Sequence, residues 1–130
     1  MIKLIILGEP VPKGRPRVAN RGPFPTIYTD PKTRAAEKAF QEQARKFVPA
    51  KPLEGPLKVT VKFFKEKPKS YSKTIVHWTK KPDLDNLLKL ALDSMNKIFF
   101  IDDAQIVEII CSKHYDSSPR TEIFIEEAIL

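Results

Sequence analysis

The segment KKPDLDNLLKLALDSMNKIFFIDD, residues 80–103, combines the clearest helical pattern in the sequence with its most closely spaced carboxylates. Asp83 and Asp85 stand one residue apart near its start, and Asp102 and Asp103 are adjacent at its end. The chain has 130 residues and a net charge of +7, so acidic pairs at both ends of one helix need an explanation. This arrangement predicts that the chemistry of the protein lies in this segment.

Apolar residues in the segment recur at the spacing of a helix over residues 83–98. They are Leu84, Leu87, Leu88, Ala91, Met95 and Ile98. On another face, Asp85, Lys89 and Asp93 follow one another at i, i+4 steps, so Lys89 is expected to support Asp85. Asp83 stands at the N-cap position, which leaves a purely structural role open for Asp83 and Asp85.

Outside that segment the pattern predicts five strands and one further helix. The strands are residues 2–7, 24–28, 57–63, 104–115 and 120–127, the last two joined by a polar turn at residues 116–119. The first is mostly apolar and is expected to be buried on both faces, whereas residues 57–63 alternate. The helix is expected to begin at Asp30 and Pro31 and to end before Pro49. The order predicts a single α+β domain, residues 1–130, with two main helices on a mixed, mostly antiparallel sheet.

The charge is divided unevenly along the chain. Residues 1–81 hold 19 Lys and Arg against 6 Asp and Glu, a net charge of +13. Residues 82–130 hold 4 against 10, a net charge of −6. Such asymmetry indicates that the basic part binds a polyanion. The alternative is a solvated basic surface that serves only solubility.

Two basic segments are candidates for nucleic-acid binding. Residues 8–25, rich in Pro and Gly, are expected to form a stiff loop or an edge that contacts phosphates through Lys13, Arg15 and Arg17, with Arg21 beside them. The alternative is a linker that is basic by accident. Residues 67–82 lack a regular period and predict a mobile basic loop that ends in Lys80 and Lys81. Trp78 in this loop could stack on bases or pack the loop onto the core, and the sequence favours neither.

The cysteine content and hydropathy of the sequence indicate the cellular compartment of the protein. One cysteine, Cys111, excludes an internal disulfide and fits a reducing compartment. No apolar run approaches the roughly 18 residues of a membrane span, and residues 1–10 do not resemble a signal peptide. We therefore expect a cytoplasmic protein with no membrane partner. The single cysteine and two scattered histidines offer no zinc-binding spacing.

The acidic segment has the composition of a site for a hard divalent cation. Mg²⁺ takes oxygen ligands, usually one or two carboxylates with water and substrate phosphate oxygens. Three or four clustered carboxylates could hold one or two such ions beside a phosphate. Lys89, one turn beyond Asp85, is placed to add positive charge where a phosphodiester transition state gains negative charge.

These residues carry a family resemblance. DLDNLLK (residues 83–89), Asp93, DDAQIV (residues 102–107) and Lys113 resemble the signature of RusA-type Holliday junction resolvases, and GEPVPKGRPR (residues 8–17) resembles the opening of one branch of that family. The resemblance implies a homodimeric, Mg²⁺-dependent crossover junction endodeoxyribonuclease of recombination and repair, bacterial or phage-encoded in a bacterial host, that makes paired symmetric nicks in four-way DNA junctions.

The resemblance also implies roles for individual residues. Asp83, Asp85 and Asp103 would be the catalytic metal ligands, with Asp102 as a less certain neighbour. Lys89 would be the catalytic lysine, Lys113 would join the DNA-binding residues, and Mn²⁺ would substitute for Mg²⁺.

Convergence of these carboxylates restricts the length of the helix. A helix over residues 83–98 is roughly 24 Å long at about 1.5 Å per residue. Residues 99–103, if fully extended, can bring the chain back by only about 16 Å. Asp103 can reach Asp83 and Asp85 within one chain if the helix ends near Asn96. Otherwise the partner of a dimer supplies it. We expect a site within one chain.

Two other functions remain open from the sequence. One is a module that binds junctions or forks without cutting, its carboxylates serving the fold. The other is an RNA or flap nuclease that uses the same site, because fold-level similarity does not decide the substrate.

Overall fold

The computed structural model of the chain describes residues 1–20 and 22–129, so Arg21 lies outside the described residues. The described part has six strands, two α-helices and two short 3₁₀ helices. The strands are β1 (Ile2–Leu7), β2 (Arg17–Asn20), β3 (Pro25–Tyr28), β4 (Leu57–Lys65), β5 (Ile106–Tyr115) and β6 (Arg120–Glu127). The helices are α1 (Pro31–Ala44) and α2 (Leu84–Met95), and the 3₁₀ helices are Arg45–Phe47 and Asp103–Gln105.

Four of the strands form one sheet in the order β1-β6-β4-β5. β6 is antiparallel to both β1 and β4, and β5 is parallel to β4. The predicted α+β fold with a mixed, mostly antiparallel sheet is therefore confirmed. The turn after β5 leads into β6 as expected, but the two strands lie on opposite sides of β4. The chain crosses from β4 to β5 through α2, which places that helix against the sheet.

The first strand is an edge strand with one exposed face. Leu4 and Ile6 are buried, whereas Ile5 and Leu7 are 37% and 65% exposed. The prediction that residues 2–7 are buried on both faces is wrong. All of these residues except Lys3 are apolar, but the helices cover only one face of the sheet, so every second side chain faces solvent.

The first helix begins as its sequence predicts. Asp30 is the N-cap, its side chain accepts a hydrogen bond from the Thr33 backbone N–H, and Pro31 occupies the first turn. Phe40 and Ala44 are buried on the face toward the core. No helix in the described ranges is long and apolar enough to cross a membrane.

The core lies between the helices and one face of the sheet. Alternate residues of β4 are buried as predicted, and they pack with the apolar stripe of α2. Trp78 is only 3% exposed and stacks on Tyr115 with a centroid distance of 6.1 Å. The core reading of Trp78 is confirmed, because a buried indole is not free to stack on bases.

A second, two-stranded sheet forms where a stiff loop or an edge and a short strand are expected. β2 pairs with β3 in antiparallel register, from Arg17 opposite Tyr28 to Asn20 opposite Pro25. The strand at residues 24–28 is confirmed in outline. Of the two forms expected for residues 8–25, a stiff loop or an edge, residues 17–20 adopt the second, because each strand of a two-stranded sheet is an edge strand.

Leu87→Ala is expected to lower the free energy of unfolding by about 2–5 kcal/mol, because the substitution leaves a cavity in a filled core. Leu87 is 0% exposed. Urea unfolding monitored by circular dichroism measures the change. The matched control is Leu7→Ala on the exposed face of β1, expected to change stability by about 0.5 kcal/mol or less. Equal losses in the two variants would contradict this account of the core.

Candidate active site

The start of α2 presents two exposed carboxylates. Asp83 is the N-cap residue, but its side chain makes no capping hydrogen bond. Asp85 lies in the first turn, where its Oδ1 accepts a hydrogen bond of 2.9 Å from the Asn86 backbone N–H. The structural role considered for Asp83 is therefore not fulfilled by its side chain, and the carboxylate is free to serve another purpose.

The end of α2 turns the chain back along the helix. The helix stops at Met95 with Asn96 as its C-cap, the early end that convergence within one chain requires. Lys97 adopts a left-handed conformation with φ of 67°. The next residues are held by burial, since Phe99 and Phe100 are 1% and 0% exposed. The return segment is thus fixed in the core rather than free.

The second acidic pair divides into two roles. Asp102 caps the 3₁₀ helix: its side chain accepts a hydrogen bond from the Ala104 backbone N–H, and its own backbone N–H donates to Gln105 Oε1. Gln105 Nε2 in turn donates to the Leu53 carbonyl oxygen at 2.9 Å. The backbone N–H of Asp103 donates to Asn96 Oδ1 at 3.1 Å, which holds Asp103 beside the end of α2.

A shallow pocket of about 180 Å³ lies along the exposed side of α2. Asp103 from the return segment and Asp85 from the start of the helix both line it. The complete lining is Asp85, Leu88, Lys89, Leu92, Asp93 and Asp103. The structure therefore brings Asp85, Lys89 and Asp103 of one chain to the same pocket. Asp83 and Asp102 lie outside its lining.

The charges of this pocket are partly paired. Lys89 Nζ lies 3.6 Å from Asp93 Oδ2, and Lys13 Nζ lies 3.1 Å from the same oxygen. Lys13 also pairs with Glu37 at 3.1 Å. Burial lowers the pKa of Lys13, but hydrogen bonds to Asp93 and Glu37 outweigh it, so the pKa lies above its usual value. The expectation that Lys89 supports Asp85 is wrong: within the described residues its ion-pair partner is Asp93.

The oxygen donors of the pocket suit a hard divalent cation, although they do not form a complete cage. Among residues 1–20 and 22–129, no group of three or more Asp, Glu, His or Cys side chains is gathered closely enough to hold a metal ion. Mg²⁺ does not need such a cage, because water and substrate phosphates complete its shell. Asp85 and Asp103 supply two carboxylates, so the donor chemistry fits. Burial raises the pKa of the Cys111 thiol to about 11, which keeps it protonated and unsuited to bind metal.

The residues expected to bind DNA fall into two groups. Arg15, Lys80 and Lys81 are exposed. Arg17 is 58% exposed and pairs with Asp30 at 2.6 Å, while the ammonium group of Lys13 is engaged with two carboxylates. Contact of any of these side chains with DNA stays a prediction.

Lys113 is placed where it holds the segment that leads into α2. Its Nζ donates hydrogen bonds of 2.8 Å to the Lys80 carbonyl oxygen and 2.9 Å to the Pro82 carbonyl oxygen. The same nitrogen lies 4.9 Å from the centre of the Trp78 ring, a cation–π contact. These contacts fix the chain just before Asp83.

The positioning residues around the pocket are absent from the sequence-based set. Asn96 accepts from the backbone N–H of Asp103, and Gln105 donates to the backbone of Leu53, 52 residues away. Single Asn or Gln residues give no pattern from which such contacts can be inferred. Lys13 carries a positive charge in a basic segment, so its sequence indicates phosphate binding, whereas its partners are carboxylates. Asp93 is different, because its i, i+4 spacing from Lys89 predicted that the two side chains lie close together.

Comparisons with known proteins extend the similarity over nearly the whole chain. The family model of endodeoxyribonuclease RusA matches residues 8–126, a range that includes both acidic pairs. The protein YqaN of Bacillus subtilis (strain 168) is 32% identical over 136 aligned residues, which cover 97% of this chain and 96% of YqaN. The crossover junction endodeoxyribonuclease rusA of Lactococcus phage r1t is 42% identical over 77 residues, 55% of each chain.

Lys113→Met is expected to loosen the segment before α2, because it removes two hydrogen bonds to carbonyl oxygens and the cation over Trp78. Trp78 is the one tryptophan in the sequence, so the tryptophan fluorescence of the protein reports on the surroundings of this side chain alone. We expect a shift to longer wavelength and stronger quenching by acrylamide. Lys62→Met, at an exposed position of β4, is the control. Identical emission of the Lys113 variant and the wild type would show that Lys113 does not hold this segment.

Proposed function

The chain belongs to the endodeoxyribonuclease RusA family, and on that premise we propose that it is a Mg²⁺-dependent endonuclease that resolves four-way DNA junctions by paired symmetric nicks. The observation that carries the proposal is the pocket on α2, where Asp85, Lys89 and Asp103 meet inside the range that matches the family. We further propose that it acts on DNA in the cytoplasm of a bacterial cell, in recombination and repair.

The charge of the pocket argues for a cation between protein and DNA. Asp85, Asp93 and Asp103 line the pocket, and Lys89 is the one basic residue of that lining. Without a cation, carboxylates repel a phosphodiester that comes within a few ångströms. A divalent ion held by Asp85 and Asp103, with Asp83 from the N-cap position, would neutralise the phosphate and lower the pKa of a bound water.

The carboxylates differ in how firmly the fold holds them for this task. Asp83 and Asp85 are exposed at the beginning of a helix whose axis is fixed by buried Leu87 and Met95. Asp103 is exposed as well, but its backbone is tied to Asn96. Side chains on rigid elements position ligands better than side chains on loose loops. The oxygens of Asp102 already serve the cap of the 3₁₀ helix, so we propose for it at most a supporting role at the metal.

Lys89 is suited to meet the phosphate. Its side chain is 62% exposed, and its contact with Asp93 is long at 3.6 Å. An exposed pair of this kind contributes at most about 1 kcal/mol. Moving the ammonium group toward a scissile phosphate therefore costs little. There it stabilises the negative charge that grows on the phosphate oxygens during cleavage. The Lys13–Asp93 pair keeps Asp93 partnered when Lys89 moves.

Paired symmetric nicks require two active sites with matching orientation. A homodimer with a two-fold axis provides them, because both copies present the same pocket. We propose such a dimer for the working enzyme. Each copy carries its own Asp85, Lys89 and Asp103 around one pocket, so each site would cut one strand independently.

Asp85→Asn is expected to bind a labelled four-way junction but to lower Mg²⁺-dependent cleavage by about 10²-fold or more, because it removes a charged metal ligand. Gel assays of binding and nicking measure both properties. Removal of Mg²⁺ with a chelator should likewise abolish nicking by the wild type. Glu127→Gln, an exposed carboxylate at the end of β6, is the control and should cut normally. A wild type that binds junctions without nicking them in Mg²⁺ or Mn²⁺ would favour the non-cleaving DNA-binding module.

Mixing the separately inactive variants Asp85→Asn and Asp103→Asn is expected to restore no nicking. Both residues line the pocket of one chain, so each site of a mixed dimer carries one of the two substitutions. An intact site could form only if each pocket combined Asp85 of one copy with Asp103 of the other. Activity is measured after the subunits have exchanged, with exchange verified by mass spectrometry. Recovery toward a quarter or more of wild-type nicking would instead mean that the partner contributes Asp103.

A further inference from the structure

The β2–β3 ribbon has one face whose apolar side chains are largely exposed. Its strands pair only with each other. Cross-strand partners point to the same face, so Val18 and Ile27 lie together on one side and Arg17 and Tyr28 on the other. Val18 is 60% exposed and Ile27 is 72% exposed. Phe24, beside the turn, is 79% exposed.

An exposed apolar face of this kind is unusual without a partner. Scattered exposed apolar residues are normal, but Val18 and Ile27 are direct neighbours on one face, and Phe24 lies next to the strand that carries Ile27. Contiguous apolar surface rimmed by polar residues marks an interaction site. Basic residues adjoin this face: Arg15 is exposed and precedes the ribbon in the chain, and Arg17, exposed as well, lies on the opposite side of the ribbon.

The base of the ribbon is fixed to α1. Arg17 Nε lies 2.6 Å from Asp30 Oδ1, and the Gly14 backbone N–H donates to Thr33 Oγ1 at 2.8 Å. A Cβ at Gly14 would lie 2.7 Å from that hydroxyl oxygen, so this close approach requires glycine. Burial raises the pKa of Asp30, but hydrogen bonds from Arg17 and the Thr33 N–H outweigh it and lower the pKa. The ribbon therefore stands on a fixed support.

The same base borders the proposed catalytic pocket. The Lys13 backbone N–H donates to the Asn86 carbonyl oxygen at 2.9 Å, one residue beyond Asp85. Lys13 Nζ contacts Asp93, which lines the pocket. A DNA strand at the pocket consequently lies within reach of the ribbon.

We propose that the apolar face of the ribbon packs against unstacked bases at the branch of the DNA substrate. This inference rests on the proposed function. A two-stranded β-ribbon is narrow enough to enter a DNA groove, and apolar side chains inserted between base steps unstack them. Val18 and Ile27 provide the apolar contact, Phe24 beside the turn adds exposed apolar surface, and the exposed Arg15 would bind the adjoining phosphates.

The charges around the ribbon favour DNA over a second copy of the chain as its partner. A two-fold contact through Val18 and Ile27 would bring Arg15 and Lys32 of one copy near the same residues of the other. Lys32 and Arg34 of α1 are exposed next to the fixed base. Facing like charges destabilise such a contact, whereas a phosphate backbone neutralises them.

The test compares the wild type with a double variant that carries both Val18→Thr and Ile27→Thr. Threonine keeps the branched shape that suits a strand but puts a hydroxyl group in place of one methyl group of Val18 and of the ethyl group of Ile27. The fluorescent base 2-aminopurine next to the branch reports unstacking when the full chain carrying Asp85→Asn binds without cutting. We expect the fluorescence to rise with the intact ribbon and to remain near the free-DNA value with the double variant. Ile110→Thr is the control, at a 48% exposed position of β5.

Cleavage by chains that retain Asp85 separates this proposal from the proposed function. Unstacking a base step costs a few kcal/mol, so the double variant should cut a fully paired junction about tenfold or more slowly. It should cut a junction with unpaired bases at the branch within about twofold of the wild type, since that branch is already open. Absence of nicking by every chain would refute the nuclease, while the fluorescence would still decide the role of the ribbon.

Three outcomes would overturn the role of the ribbon. The fluorescence rise could be the same with and without the apolar residues. Cleavage of both junctions could fall equally, which would indicate general affinity rather than opening of the branch. Sedimentation could show that the double variant, unlike the wild type and Ile110→Thr, no longer forms dimers, which would identify the face as a subunit contact.

Discussion

The return of the chain after α2 is the constraint on which the proposed site depends. Burial of Phe99 and Phe100 draws the segment back into the core directly after the left-handed turn at Lys97. The hydrogen bond from the Asp103 N–H to Asn96 then fixes where this segment meets the helix. Because burying a Phe side chain contributes on the order of 2–3 kcal/mol, the core holds Asp103 in place without help from the acidic residues themselves.

Long-range polar contacts within the chain hold the acidic helix and the segment that leads into it. Lys13 reaches Asp93 and Glu37, and Lys113 binds the carbonyl oxygens that precede Asp83. Both lysines thus use their charge inside the protein, where it orients the pocket. Exposed residues such as Arg15 and Lys80 remain available for the proposed contact with phosphates.

The roles of individual acidic residues follow from their backbone surroundings rather than from their charge. Asp102 and Asp103 are neighbours in sequence, yet Asp102 caps a 3₁₀ helix and Asp103 lines the pocket. Asp30 and Asp83 both stand at N-caps, yet only the Asp30 side chain accepts a capping hydrogen bond. A carboxylate that its own helix does not use is available for chemistry, which is why the N-cap position of Asp83 does not argue against a catalytic role.

The sequence by itself determined the two helices, the alternation of β4, the α+β class and the family, because helical and strand periodicities and the DLDNLLK and DDAQ motifs are local properties. Only the tertiary structure decided that Trp78 is buried, that β1 is exposed on one face, and that Lys13 and Lys113 bind protein groups. It also decided that Lys89 pairs with Asp93 rather than Asp85 and that β2 and β3 form a sheet of their own. Most of these outcomes depend on which distant segments pack together, and a side chain carries no local sign of a partner dozens of residues away. The choice of Lys89 between Asp85 and Asp93 could not be read from the sequence either, because both carboxylates lie four residues from it.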